Sequence, residues 1–210
     1  MELAWDIEKW GPERAGGYIE EWAGRTFGKS CAKEIADIQD RYYKLQASGK
    51  DSHVYFLEYS EDDIRDRLGR WESVAQQAEK LRSRIPDELK AAYFELVEYP
   101  VRGAWMLNAY QLLSRLSLAH ATYGKSSEAM SEAAVAARMF SELNKWTDIY
   151  NRELLDGKWN GFFNWQPYHW YRSSAMDAPI CTEELLEEVA GSPKPGYVKV
   201  EDAMCDDGAL

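Results

Sequence analysis

The sequence predicts an all-α protein: an antiparallel bundle of five to six amphipathic helices, followed by an aromatic-rich loop and an irregular tail. Three observations carry this prediction. Apolar residues recur at spacings of three and four through about residue 156. The segments that carry them are separated by short connections marked by Gly, Pro and Ser. The alternation of strands and helices that marks Rossmann and barrel domains is missing. With 210 residues and 45% hydrophobic content, the chain is long enough to bury one large core.

The elements follow in order. Pro12 suits the first turn of a helix running to Gly28, with Tyr18, Ile19, Trp22, Ala23 and Phe27 on one side. A second helix carries Cys31, Ile35, Ile38, Tyr42 and Leu45 at four-three-four-three spacing and ends at Ser48-Gly49. The HVYFLEY stretch after it reads as a connector. Ser60 and Asp63 then form a capping pair for a helix whose stripe runs from Ile64 through Leu68, Trp71, Ala75, Ala78 and Leu81 to Ile85. Pro86-Asp87 opens a helix with Leu89, Ala92, Tyr93, Leu96 and Val97 toward the core, and Pro100 predicts a kink or break. The pattern resumes over Val101 to Tyr123 and closes at Gly124. Ser126 or Ser127 caps a final long helix carrying Met130, Ala133, Ala137, Phe140, Leu143, Trp146, Ile149 and Tyr150 to Leu155. The bundle with its aromatic loop is assigned to residues 1–171. The tail, 172–210, holds a short candidate helix at 182–190 and a candidate strand at 197–201.

Charge and composition remove several function classes. A formal net charge of -11, with 36 acidic against 25 basic residues, repels phosphate backbones and anionic membranes, so neither nucleic acid nor membrane is an expected partner. Three widely spaced cysteines, Cys31, Cys181 and Cys205, signal neither a disulfide framework nor a metal site. Cys31, on an apolar stripe, reads as a small buried hydrophobe. No leader peptide and no apolar run of ~18 residues is visible.

Catalytic constellations are equally sparse, and no catalytic residue, cofactor or metal is assigned. The three histidines are His53, in a connector, His120, on a leucine-rich helix and best read as a satisfied side chain, and His169. Glycoside cleavage needs a carboxylate pair roughly 5 to 9 Å apart, a geometry that the many acids of this chain leave open. The concentrated feature is Lys158 to Tyr171, KWNGFFNWQPYHWY, with seven aromatic rings in fourteen residues directly after Gly157. Such a cluster either seals a core or presents flat faces to a ligand. As a plug, Trp159, Phe162 and Phe163 would close the end of the bundle. As a sugar platform, the candidate binding residues are Lys158, Trp159, Asn160, Asn164, Trp165, Gln166, Tyr168, His169, Trp170 and Tyr171.

Four motifs, in order, resemble one family: LAWD at 3–6, RTFG at 25–28, AYFELVEYPV at 92–101 and YNRELLDGKWNGFFNWQPYHWY at 150–171. They resemble the helical region of the xylan α-1,2-glucuronidases of glycoside hydrolase family 115, over about residues 3–171. The resemblance implies a large, typically secreted parent that removes 4-O-methylglucuronic acid from glucuronoxylan with inversion, using carboxylates of an upstream (β/α)8 barrel. It therefore implies a chain that lacks the catalytic barrel and is inactive alone, with glucuronoxylan or a uronic-acid oligosaccharide as ligand and a missing barrel domain or a homodimer copy as partner. After GKWN the family runs through a methionine pair and a Gln-Thr-His-Ile-Gly-Tyr stretch. Here Phe162 to Tyr171 replace it, and Gln166 and His169 are the candidate matching pair at altered spacing. A non-catalytic carbohydrate-binding module and a helical dimerisation or interaction module are the alternative readings.

Overall fold

A computed structural model describes residues 2–50, 54 and 58–162, and all regular structure among them is helical. Most of the HVYFLEY connector, everything after Phe162, and with it the expected helix at 182–190 and strand at 197–201, lie outside the described residues. The described residues form seven α-helices: α1 (Glu2–Trp5), α2 (Tyr18–Phe27), α3 (Lys29–Ala47), α4 (Glu61–Arg82), α5 (Lys90–Tyr93), α6 (Tyr99–Thr122) and α7 (Ser126–Asp148). Two π turns interrupt the regular geometry, Phe94–Glu98 before α6 and Ile149–Glu153 after α7.

Side-chain pairs fix the helix directions. Glu34 meets Arg84 and Arg41 meets Ser73, so α3 and α4 run antiparallel. Glu61 meets His120 and Arg82 meets Glu98, which sets α4 antiparallel to the run that leads into α6. Tyr99 meets Thr147 and His120 meets Glu132, which does the same for α6 and α7. The antiparallel helical bundle expected from the sequence is the observed fold. One apolar cluster lies between α2, α3, α4 and the 93–104 segment, centred on Ile35, Ile38, Trp71 and Val97, and a second between α6 and α7 around Tyr110 and Leu143.

Several local expectations hold for physical reasons. The Ser60 hydroxyl accepts from the Asp63 amide at 3.2 Å, and the Asp63 carboxylate accepts from the Ser60 amide at 3.1 Å, a complete capping box. Cys31 is buried on the α3 stripe. Gly124, at φ +75°, ends α6, and the Lys125 amide donates back to the His120 carbonyl at 2.8 Å.

Others are corrected. The first bundle helix begins at Tyr18 rather than Pro12, because Gly16 and Gly17 resist helical order and hold only a 3-10 turn, Ala15–Gly17. Trp10 is nevertheless buried, and the segment before it is pinned by Glu2, which accepts from Arg25 (2.7 Å), Lys9 (3.2 Å) and Trp10 (3.4 Å). Arg25 above all holds the Glu2 carboxyl down at about 2, against a desolvation cost second only to it and with further help from Lys9 and Trp10.

Pro100 does not break the helix. The π turn runs directly into α6 with Pro100 in its first turn, where a missing N–H is tolerated. Pro100 cannot donate to the Leu96 carbonyl, and Gln39 Nε2 of α3 does so instead at 3.0 Å. The wider π turn also rotates Leu96 off the core, leaving it 41% exposed. At α7 the N-cap is Lys125 without a side-chain cap bond, because the Gly124 turn already places Ser126 inside the helix. That helix ends at Asp148 rather than Leu155. Ala137 and Ile149 face outward, and Ala129 and Ala136 take core positions.

Candidate functional site

The fold brings two distant sequence segments, 92–101 and 150–160, together at one end of the bundle. Tyr99 and Tyr150 rings lie 4.7 Å apart, Phe94 stacks on Trp146 at 5.4 Å, and the Tyr99 hydroxyl and Thr147 Oγ1 lie 3.0 Å apart. The segments border an open cleft of about 560 Å³, whose walls include Arg82, Phe94, Glu98, Arg102, Trp146 and Leu155. That volume is in the range of small-ligand sites.

At the cleft floor Glu98 is 1% exposed, on the first π turn, and is paired with Arg82 Nη1 and, at 3.6 Å, Arg102 Nη1. Arg102 also meets Glu79 at 3.0 Å and lies 4.0 Å from the centre of the Trp146 ring. Trp146 is thus committed to Arg102 and Phe94 and acts as a wall rather than a free stacking surface. The cleft's cations, Arg82, Lys90 and Arg102, are matched by Glu79, Glu98 and Glu153, so it exerts no net long-range pull on an acidic ligand. Burial and the nearby Glu98 charge push the Tyr93 hydroxyl above its ordinary range, and it donates to the Ala78 carbonyl at 2.7 Å.

The exit from the second π turn is strained. Leu155 (φ 51°), Asp156 (φ 57°) and Gly157 (φ 76°) are three consecutive left-handed residues, and Leu155 lines the cleft. A β-carbon at Gly157 would lie 3.1 Å from the Arg152 carbonyl oxygen. Gly157→Ala is therefore expected to lower stability by about 1–2 kcal/mol, read as a reduced urea midpoint with unchanged slope.

This turn reverses the chain, so that Trp159 packs, half-buried, against Phe94, Tyr99, Tyr150 and Leu154. Its Nε1 is buried and has no hydrogen-bond acceptor among the described residues. Lys158 is exposed, with Nζ 4.6 Å from the Trp159 ring centre, and Asn160 is exposed with its amide bonded to the Gly157 carbonyl at 3.0 Å. Phe162, 64% exposed, lies against Trp159 at 5.3 Å. Trp159 thus plugs the bundle end, and Phe162 extends the aromatic surface outward. Phe163, Asn164, Trp165, Gln166, Tyr168, His169, Trp170 and Tyr171 lie outside the described residues.

A second polar cluster sits elsewhere in the bundle. His120, on α6, has Nδ1 2.9 Å from Glu132 Oε2 on α7 and Nε2 3.1 Å from Glu61 Oε2 on α4. His120 is thus the satisfied side chain expected from the sequence. Neither this cluster nor the Glu98–Arg82–Arg102 group was visible in the sequence. One usable signal was Glu98 itself, an acid within the otherwise apolar run LVEYPV at i,i+4 from Arg102.

No described helix is long and apolar enough to cross a membrane. Residues 1–53 match the family model for glycosyl hydrolase family 115. Among solved structures the chain is similar to a family 115 4-O-methyl-α-glucuronidase with specificity for decorated arabinogalactans, with a TM-score of 0.73 and 23% identity over 94% of this chain. The chain spans 26% of that enzyme's length. No curated protein matches the sequence significantly. The match over 1–53 takes in the LAWD and RTFG motifs. The resemblance to a family 115 helical region is borne out on both counts.

Proposed function

We propose that this chain is the helical region of a glycoside hydrolase of the family 115 type, acting within a larger protein that removes 4-O-methylglucuronic acid from glucuronoxylan. The helical region braces a catalytic barrel and shapes the approach to its sugar site; the bond-breaking carboxylates belong to the barrel. One observation carries this reading: nearly the whole chain has the fold of about a quarter of a 4-O-methyl-α-glucuronidase. The two motif segments that meet at the Glu98 cleft support a bracing role, because their aromatic and ionic groups are spent on one another.

The test is an activity assay on the purified 210-residue chain with aldouronic oligosaccharides from glucuronoxylan and with uronate-decorated arabinogalactan. Neither is expected to release uronic acid. Release from either substrate that disappears on mutating a carboxylate of this chain would overturn the reading. A carbohydrate-binding role is the second reading, favoured by the exposed Phe162 ring at the head of the aromatic segment. A tryptophan emission shift on titration with either oligosaccharide would support it.

A further inference from the structure

We propose that His120 is a proton-operated pin joining α4, α6 and α7, and that the corner it closes loosens when its ring loses one of its two protons. The argument begins from donor and acceptor inventory. His120 is 4% exposed, in the last turn of α6, and each ring nitrogen lies at hydrogen-bond distance from a different carboxylate oxygen. An ionised carboxylate only accepts, and a neutral imidazole has one donor and one lone pair. Both contacts are therefore satisfied together when both nitrogens carry hydrogen, which makes the ring a cation.

Among the described residues, the charged groups facing the ring are Glu61 and Arg65 from α4 and Glu132 from α7. Arg65 Nη2 donates to Glu61 Oε1 at 2.6 Å and to Glu132 Oε1 at 3.0 Å, so each carboxylate is shared between a guanidinium and the imidazole. With the ring charged, two anions and two cations cancel around the buried His120 and Glu132, while Glu61 and Arg65 keep part of their surface in water. With the ring neutral, one negative charge is uncompensated and a nitrogen lone pair faces a carboxylate at about 3 Å. The helix ends favour the charged arrangement: Glu61 lies in the first turn of α4 and His120 in the last turn of α6. Arg65 first, and then His120, holds the Glu61 carboxyl below its ordinary range.

These three side chains also have the composition of a metal site, their ligand atoms lying within 4.8 Å of one another. The geometry argues against that use. The two ring nitrogens point toward different carboxylates, and Arg65 holds the remaining oxygens, so an ion would have to displace a guanidinium.

The corner is consequently closed over a bounded pH range. On the acid side, Glu61 contributes above the ordinary carboxylate value and loses that contribution as pH falls through its lowered one. On the alkaline side the pin fails as the ring is deprotonated. The test uses the full chain. Ring nitrogen resonances of His120 are expected to show two N–H groups at neutral pH. The thermal midpoint is expected to fall by about 3–6 °C as the ring titrates on the alkaline side, while His120→Gln, which cannot titrate, stays flat there. A singly protonated ring at neutral pH, or parallel slopes for the two proteins, overturns the proposal. Saturable one-to-one Zn²⁺ binding that is lost in His120→Gln also overturns it, in favour of a metal site. If His120→Gln does not fold, the nitrogen resonances of the unsubstituted chain decide alone.

Discussion

Arg67→Ala is expected to lower stability by about 3–5 kcal/mol. Arg67 is 5% exposed on α4 and ties that helix to two others, the end of α3 and α6. Its Nε donates to Asn108 Oδ1 of α6 at 2.9 Å, its Nη1 to Ser48 Oγ at 2.9 Å, and its Nη2 to the carbonyls of Leu45 (3.3 Å) and Gly49 (2.8 Å). Leu45 and Gly49 lie at the C-terminal end of α3, where helix carbonyls lack intrahelical donors and the dipole favours a cation. Alanine would strand those carbonyls in a site that water reaches poorly, and would leave a cavity. Arg67→Lys retains the charge but cannot fork toward three directions, so it should recover only part of the loss. Thermal unfolding should show the alanine variant melting about 10 °C lower. A shift under about 3 °C would mean that water replaces the guanidinium and that the clasp contributes little.

This clasp also marks where sequence reading stops. The α3 stripe, the Ser60–Asp63 capping box and the Gly124 stop were legible because each is encoded within a few residues by spacing, hydroxyl chemistry or backbone freedom. Arg67 sits on the same helix as the Trp71 stripe and looks like an ordinary exposed position, because its partners are 18 to 41 residues away in sequence. The π turns were illegible for another reason. One extra residue in a turn leaves composition unchanged and only shifts the facing of the residues it carries, so Leu96 kept its place in the apolar pattern while leaving the core. The aromatic segment announced itself by composition, and its first ring, Trp159, packs on the cluster of Phe94, Tyr99, Tyr150 and Leu154, one of the two roles composition allowed. Which acids and bases meet at the Glu98 cleft depended on the antiparallel pairing of helices, and periodicity does not encode pairing.

Glu98→Ala is expected to cost about 3 kcal/mol and to disturb the cleft as well as the fold. The buried carboxylate neutralises Arg82 and Arg102, and Arg102 is held against the Trp146 face. Without Glu98, Arg102 is a mostly buried cation that keeps only the exposed Glu79, and it should swing toward solvent and uncover Trp146. Tryptophan emission should then shift to longer wavelength in the native state, before any unfolding. Replacing both Glu98 and Arg102 by methionine removes the charge imbalance and fills the site with apolar volume, so the double variant should be more stable than Glu98→Ala by about 1–2 kcal/mol. If the double variant is the less stable of the two, the ion group contributes net stability beyond mutual neutralisation. If it is more stable than the unsubstituted chain, Glu98 and Arg102 are retained at a cost to the fold. What the ion group would then supply is the shape and polarity of the cleft that the segments 92–101 and 150–160 border.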